Sequence, residues 1–269
     1  MIKLGIQSVF VSLISVAFIS ACHVPLINFE EAFKDLSLKC SSLPLVDIHH
    51  FNPFDREKWV KEKAQLLKSG SKVLDVGAGE SPYRSHFGHC IYKTHDFAEN
   101  KNHVNYTSLD YVSDIKSIPV SDNEFDAIIC TEVLEHVPYP IEALKEMARI
   151  LKPGGKLLLT APLGSGLHQM PYHFYGGYTP EWYRFFCDKF DLEIIEIIEN
   201  GGTFKLLAQE SARVAWSFDK HKEHHGKSAE FVYWLFNDFM PRYLFELDNK
   251  CFMPEFTIGY NVEAVKKLK

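Results

Sequence analysis

The chain has 269 residues, 46% hydrophobic and 24% charged, with a formal net charge of −6. That length supports one large domain with a sizeable core, and the acidic balance gives no reason to expect nucleic acid as a partner. Six cysteines, none in a C-x-x-C pair, argue against the usual zinc spacing, and a core of this size needs no disulfide staples, so free thiols and no metal site are expected.

From Gly5 to Val24 no side chain is charged, and Val9, Phe10, Val11, Leu13, Ile14, Val16, Phe18 and Ile19 dominate. Three readings fit. About 20 apolar residues span a bilayer, a charged start with small residues before Cys22 has the shape of a secretion signal, and a buried or interfacial helix accommodates the four serines. Residues 25–55 carry Pro25, Pro44 and Pro53 among scattered polar groups and read as an irregular cover. Asp55 then caps a predicted helix with Val60, Ala64 and Leu67 on one face, stopped at Gly70.

From there strands and helices alternate. Strands are predicted over 73–76, 91–96, 111–115, 125–130, 156–161 and 192–198. Ile141, Leu144, Ala148 and Leu151 mark a helical face ended by Pro153-Gly154-Gly155, and 181–190 reads as another helix. The rhythm predicts an α/β fold, a doubly wound, mostly parallel sheet covered on both faces. Residues 203–253 are rich in aromatics, including Trp216, Trp234, Phe236, Phe239 and Tyr243, and read as a helical insertion before a last strand near Phe256–Val262.

The strand Val73–Val76 runs into Gly77-Ala78-Gly79-Glu80-Ser81. Glycines let backbone N–H groups come close to a ligand, and a helix expected to follow would turn its positive end to bound anions. A dinucleotide fingerprint needs a third glycine where Pro82 stands, which speaks against a nicotinamide oxidoreductase. Asp96 ends the second strand, where a carboxylate can accept hydrogen bonds from both hydroxyls of a ribose.

Asp75-x-Gly77-x-Gly79 resembles the first motif of class I S-adenosylmethionine-dependent methyltransferases. Phe125-Asp126, Glu132-Val133-Leu134-Glu135-His136-Val137 and Arg149-x-Leu151-Lys152-Pro153-Gly154-Gly155 follow in the order and spacing of the common small-molecule family, the methyltransferase 11 type. The resemblance covers about residues 70 to 165, with Ser81 standing where a third glycine is often seen. It implies a Rossmann-like fold of seven strands with an antiparallel last strand, in a methyltransferase domain over 56–269. It implies S-adenosylmethionine as cofactor, with Asp75, Gly77, Ala78 and Gly79 at the methionine part and Asp96 at the ribose. Asp114 and Ile115 would meet the adenine, and Glu132 would line the pocket.

That cofactor belongs to the cytosol, so a cytoplasmic domain is expected, with residues 5–24 or the aromatic C-terminal helices offering membrane contact. The implied activity is methyl transfer to a small-molecule, saccharide or lipid-linked acceptor; a binding protein without turnover is the alternative. His136 serves either as a base or as a brace for the helix start. The loop 162–180 is dense in His, Tyr and Gly, and His168, Tyr172 and His173 are its candidates for facing the acceptor. The run Lys220-His221-Lys222-Glu223-His224-His225 reads as a solvated helix end.

Overall fold

The computed structural model describes residues 51–99, 104, 106, 109–221 and 229–268. The apolar segment 5–24, Cys22, Cys40 and most of the 220–225 run lie outside the described residues. Residue contacts divide the chain into two units. One consists of His50–Thr203 with Pro254–Lys269, and the other takes in Phe204–Met253.

The first unit contains seven strands, β1 (Lys72–Val76), β2 (Ile91–Asp96), β3 (Tyr111–Val112), β4 (Phe125–Thr131), β5 (Leu151–Pro162), β6 (Leu192–Glu199) and β7 (Gly259–Lys266). They form one sheet in the order β3-β2-β1-β4-β5-β7-β6. β1 to β5 pair in parallel, and β7 lies antiparallel between β5 and β6. This is the Rossmann-like methyltransferase arrangement expected from the resemblance.

Alternation along the central strands assigns side chains to two cores. Leu74, Ile128, Leu157 and Leu159 face one core, and Val73, Ala127, Ile129 and Leu158 the other, all essentially inaccessible. Buried on both faces, these strands are near-continuously apolar, as parallel strands must be. Full burial of a Leu or Ile side chain here contributes about 1.5–3 kcal/mol.

Helix α1 (Phe51–Gln65) covers the second core with Trp59, Val60 and Ala64. It begins before Asp55, which therefore sits inside the helix rather than capping it. Helix α2 (Pro140–Ile150) covers the first core with Ala143, Leu144, Met147 and Ile150. Helix α3 (Pro180–Lys189) starts at Thr179, whose hydroxyl accepts the Trp182 amide at 3.3 Å, and Pro180 supplies a preset first turn.

Other elements depart from the sequence reading, among them the third strand, which is only Tyr111–Val112 against the 111–115 expected. No α-helix follows β1, only a four-residue 3-10 turn, Arg84–Phe87. The left-handed Gly77, Gly79 and Ser81 keep a helix from starting before Pro82, and only residues 82–90 remain before β2. Pro153-Gly154-Gly155 do not end α2. They lie within β5, which takes five steps from Leu151 to Lys156 while β4 takes two from Phe125 to Ala127. Such a bulge needs the positive φ of Gly154. The last strand begins at Gly259 rather than Phe256, whose side chain is exposed.

The second unit contains α4 (Thr203–Asp219), α5 (Ala229–Trp234), a π-helical turn (Leu235–Phe239) and α6 (Met240–Lys250). The Phe204 and Lys205 amides donate to Asp248 at 3.2 Å, and Phe239 stacks on Tyr243 with ring centroids 5.8 Å apart. Cys90, Cys130, Cys187 and Cys251 are free thiols, as expected. Among the described residues no helix is long and apolar enough to cross a membrane.

Candidate cofactor and acceptor site

A cavity of about 670 Å³ opens beside the C-terminal ends of β1, β2 and β4, where open α/β sheets bind ligands. Gly77, Gly79, Asp96, Asp114, Ile115, Glu132, His136 and Tyr172 all line it.

Gly77 has φ +74°, and a Cβ there would come within 2.4 Å of a Val133 methyl group. Only glycine meets both conditions. The turn's amides do not point at a ligand as the sequence suggested. Gly77 and Ala78 N–H both donate to the His95 carbonyl, at 2.9 and 3.0 Å. Gly79 N–H donates to Asp96 Oδ2 at 3.0 Å. The turn is thereby tied to the end of β2, and Ala78 is buried behind the cavity wall.

Asp96 is buried, and its Oδ1 accepts the Ala98 amide at 3.0 Å. Two backbone donors orient a carboxylate that keeps further lone pairs for a ligand diol. Asp75 is not in the cavity wall. It lies buried under the turn and accepts a hydrogen bond from the Tyr92 hydroxyl. Burial, opposed by that bond and reinforced by Asp96, pushes its pKa up to about 7.

Asp114 is exposed at the cavity mouth, accepts the Lys116 amide at 3.0 Å and pairs with Lys116 Nζ at 3.3 Å. Ile115 beside it is buried. Glu132 has φ +52°, a costly conformation for a residue with a side chain. It is held there by its N–H to the Thr160 carbonyl (2.9 Å), by the Thr160 hydroxyl (2.8 Å) and by Arg56 Nη1 (3.6 Å). Arg56 also donates to the Tyr83 hydroxyl at 3.0 Å. Its position on α1 falls within the helix expected after Asp55, but nothing in the sequence shows that its side chain reaches Glu132.

The loop 162–180 is pinned onto the 3-10 turn Leu134–His136. Phe174 and Tyr175 amides donate to the Glu135 carbonyl at 2.9 and 3.2 Å, and the Tyr178 hydroxyl donates to Leu134 O at 2.7 Å. His136 Nδ1 bonds the Tyr172 carbonyl. The loop brings His136, His168 and His173 together, with ring centroids 4.8, 4.4 and 5.9 Å apart for the pairs 136–168, 168–173 and 136–173. Of the four candidates for the acceptor side, His136 and Tyr172 line the cavity. His168 and His173 are not among its lining residues.

Burial holds the His136 pKa below its usual value, and neighbouring imidazoles add to the effect against the Tyr172 carbonyl. Glu135 is 1% exposed, and burial with the nearby Glu132 pushes its pKa up to about 8. The sequence reading singled out Glu132 but gave Glu135 no role, because nothing in the spacing shows that its carboxyl lacks solvent.

A carboxylate on a buried strand end, a second acidic group at the mouth and apolar Ile115, Val133 and Phe97 between them suit a nucleoside with a ribose diol and a flat ring. A family model described as a methyltransferase domain matches residues 49–235. The ubiquinone biosynthesis O-methyltransferase of Coxiella burnetii is 35% identical over 124 residues, 42% of this chain and 51% of that protein. The enzyme of the same description from Pseudomonas aeruginosa is 28% identical over 134 residues, 42% of this chain and 52% of its own. The chain thus spans about half the length of the curated relatives it matches. Among solved structures, a protein assigned as a sarcosine dimethylglycine methyltransferase from Galdieria sulphuraria superposes with a TM-score of 0.50 at 17% identity, covering 79% of this chain and 85% of that one. The cyclase SpnF does so with a TM-score of 0.50 at 19% identity, covering 80% and 81%. At those identities the likeness is one of fold. The family match over most of the chain, joined to the sheet order and the glycine turn, means that the chain belongs to the class I S-adenosylmethionine-dependent methyltransferases.

Proposed function

We propose that this protein transfers the methyl group of S-adenosylmethionine to a hydroxyl oxygen of a small-molecule acceptor. The observation that carries the reading is the Asp96 carboxylate, oriented by the Gly79 and Ala98 amides at the edge of a cavity large enough for cofactor and acceptor together. In this reading Asp96 takes the ribose hydroxyls. Asp114 and Ile115 hold the adenine edge and face, and the Gly77–Gly79 turn with Glu132 borders the methionine part. The oxygen nucleophile is favoured by the names of the relatives that share about two-fifths of this chain.

When bound, S-adenosylmethionine supplies a methyl group already activated by its sulfonium, so the chain's own work is alignment and exclusion of water. Tyr172 and Phe97 meet edge to face with centroids 5.1 Å apart and wall the cavity on the acceptor side. The His136 imidazole, kept neutral by burial, is the group available in that wall to receive the hydroxyl proton as the new O–C bond forms.

The test is calorimetry of the full chain with S-adenosylhomocysteine and with NAD, followed by a screen of hydroxylated acceptors. Micromolar binding of the first and none of the second, with methylated product, is the expected result. Absence of S-adenosylhomocysteine binding by folded protein would overturn the proposal.

A further inference from the structure

A second chemistry is built into the wall of the same cavity. Glu135, His136 and His168 each offer one ligand atom, and these atoms all lie within 4.8 Å of one another. His136 Nε2 stands 3.8 Å from Glu135 Oε1. A cation with ligand bonds near 2.1 Å separates its ligands by roughly 3–3.5 Å, so closure asks for side-chain shifts of about an ångström.

Three independent features prepare these groups for a metal rather than for one another. The first is the tautomer of both histidines. His136 Nδ1 engages the Tyr172 carbonyl and His168 Nδ1 the Gly166 carbonyl at 2.9 Å. A carbonyl can only accept, so each Nδ1 carries a proton, and in the neutral ring the lone pair is on Nε2. An imidazole fixed by a backbone carbonyl on its far nitrogen is the arrangement that metal-ligating histidines adopt.

The second feature is Glu135. Its side chain is 1% exposed, yet its Oε2 is buried with no hydrogen-bond partner. A buried carboxyl oxygen left without a partner is costly, and a cation would satisfy it. Arg56 is the cation that acts on it electrostatically, and it is committed to Tyr83 and Glu132.

The third feature is the rigidity of the frame. The carbonyls of Leu134, Glu135 and Pro138 are all taken by the loop, from the Tyr178 hydroxyl, the Phe174 and Tyr175 amides and the Tyr175 hydroxyl. His173 completes the frame without joining the set, because its Nε2 is shared with the Ser165 hydroxyl at 3.2 Å. Sequence spacing could not reveal the site, since His168 comes from a loop 32 residues beyond His136.

We propose that Glu135, His136 and His168 form a binding site for a divalent cation of borderline softness, zinc being the probe of choice. Two imidazoles and one carboxylate, formed as the cation displaces the Glu135 proton to solvent, suit such an ion better than magnesium or calcium, which favour all-oxygen sets. Three protein ligands leave a coordination position open, as in sites that act on a substrate. His136 belongs both to this set and to the cavity wall, so a bound cation would stand beside the acceptor space. There it would lower the pKa of an acceptor hydroxyl, the proton passing to solvent rather than to His136, whose Nε2 lone pair the cation would occupy. That last role rests on the methyl-transfer reading; the binding itself does not.

The experiment titrates Zn²⁺ by calorimetry, and Co²⁺ by its visible d–d bands, into the full chain stripped with chelator and freed of it. No S-adenosyl ligand is added, so failure here is distinct from failure of the methyltransferase reading. Circular dichroism checks that each variant is folded. The expected result is one equivalent of metal, bound at least about tenfold more weakly by His168→Ala and Glu135→Gln. His221→Ala, an exposed histidine outside the set, should bind as the parent does. Should Glu135→Gln fail to fold, the half-exposed His168 keeps the test decisive. Equal affinity in the parent and His168→Ala, no saturable binding, or equal loss in His221→Ala would overturn the proposal.

Discussion

Gly77 and Val133 are so close that a single Cβ on the glycine would lie 2.4 Å from a valine methyl group. Both line the cavity, and Gly77 also holds φ +74°. Gly77→Ala therefore combines a left-handed alanine, about 1–2 kcal/mol, with displacement of Val133 into the site. Affinity for S-adenosylhomocysteine should fall at least about tenfold, and Val133→Ala in the same chain should restore part of it. Unchanged affinity in the single variant would remove the turn from the site.

Asp96→Ala deletes the acceptor of the Gly79 and Ala98 amides along with any ribose contact. Hydrogen bonds to a charged group are worth about 1.5–3 kcal/mol, so the dissociation constant for S-adenosylhomocysteine should rise by roughly one to two orders of magnitude. A change within about twofold in calorimetry would refute the ribose role.

Arg56 and Glu132 meet at 3.6 Å, with the arginine side chain 15% exposed. Arg56→Met leaves the strained Glu132 without its cationic partner. The expected cost in urea unfolding is about 1–3 kcal/mol, with weakened cofactor binding. Full stability and binding in the variant would make Arg56 a packing residue only.

His136 lines the cavity and His173 does not. His136→Ala should lower kcat by about a hundredfold or more while affinity for S-adenosylhomocysteine changes little. His173→Ala should cost less, since that ring braces Ser165. If both variants lose the cofactor equally, the histidine cluster is a structural support for the pocket.

Asp75 holds its proton up to about pH 7 in the folded chain, against 3.8 ordinarily. Between those values the native state binds more protons than the unfolded state, so this group makes stability fall as pH rises from about 4 to about 7 and leaves it level above. Asn at this position does not titrate. The stability of Asp75→Asn relative to the parent should therefore rise by on the order of 2 kcal/mol between pH 5 and pH 8. Parallel pH profiles would show that Asp75 is ionised throughout.

β1 and β4 were legible because each is a short apolar run bounded by turn residues, Val73–Val76 and Ala127–Cys130, whereas the third strand, expected over 111–115, is only Tyr111–Val112. The bulge at Pro153-Gly154-Gly155 was not legible. A proline and two glycines break a helix and start a bulged strand equally well, and only pairing with β4 selects the second. Asp96 was readable from its place at a strand end. Arg56 was not, because its value lies in reaching Glu132 across 76 positions of sequence.

By itself, then, the sequence determined the alternation of strands and helices, the glycine turn and the family, since these depend on local periodicity and on motifs contiguous in the chain. Tertiary structure alone decided where the turn's amides go, that Asp75 is buried away from the cavity, and that Glu135, His136 and His168 converge. Those outcomes depend on which groups lose water and which distant carbonyls accept their hydrogen bonds, and no spacing along a chain encodes that burial.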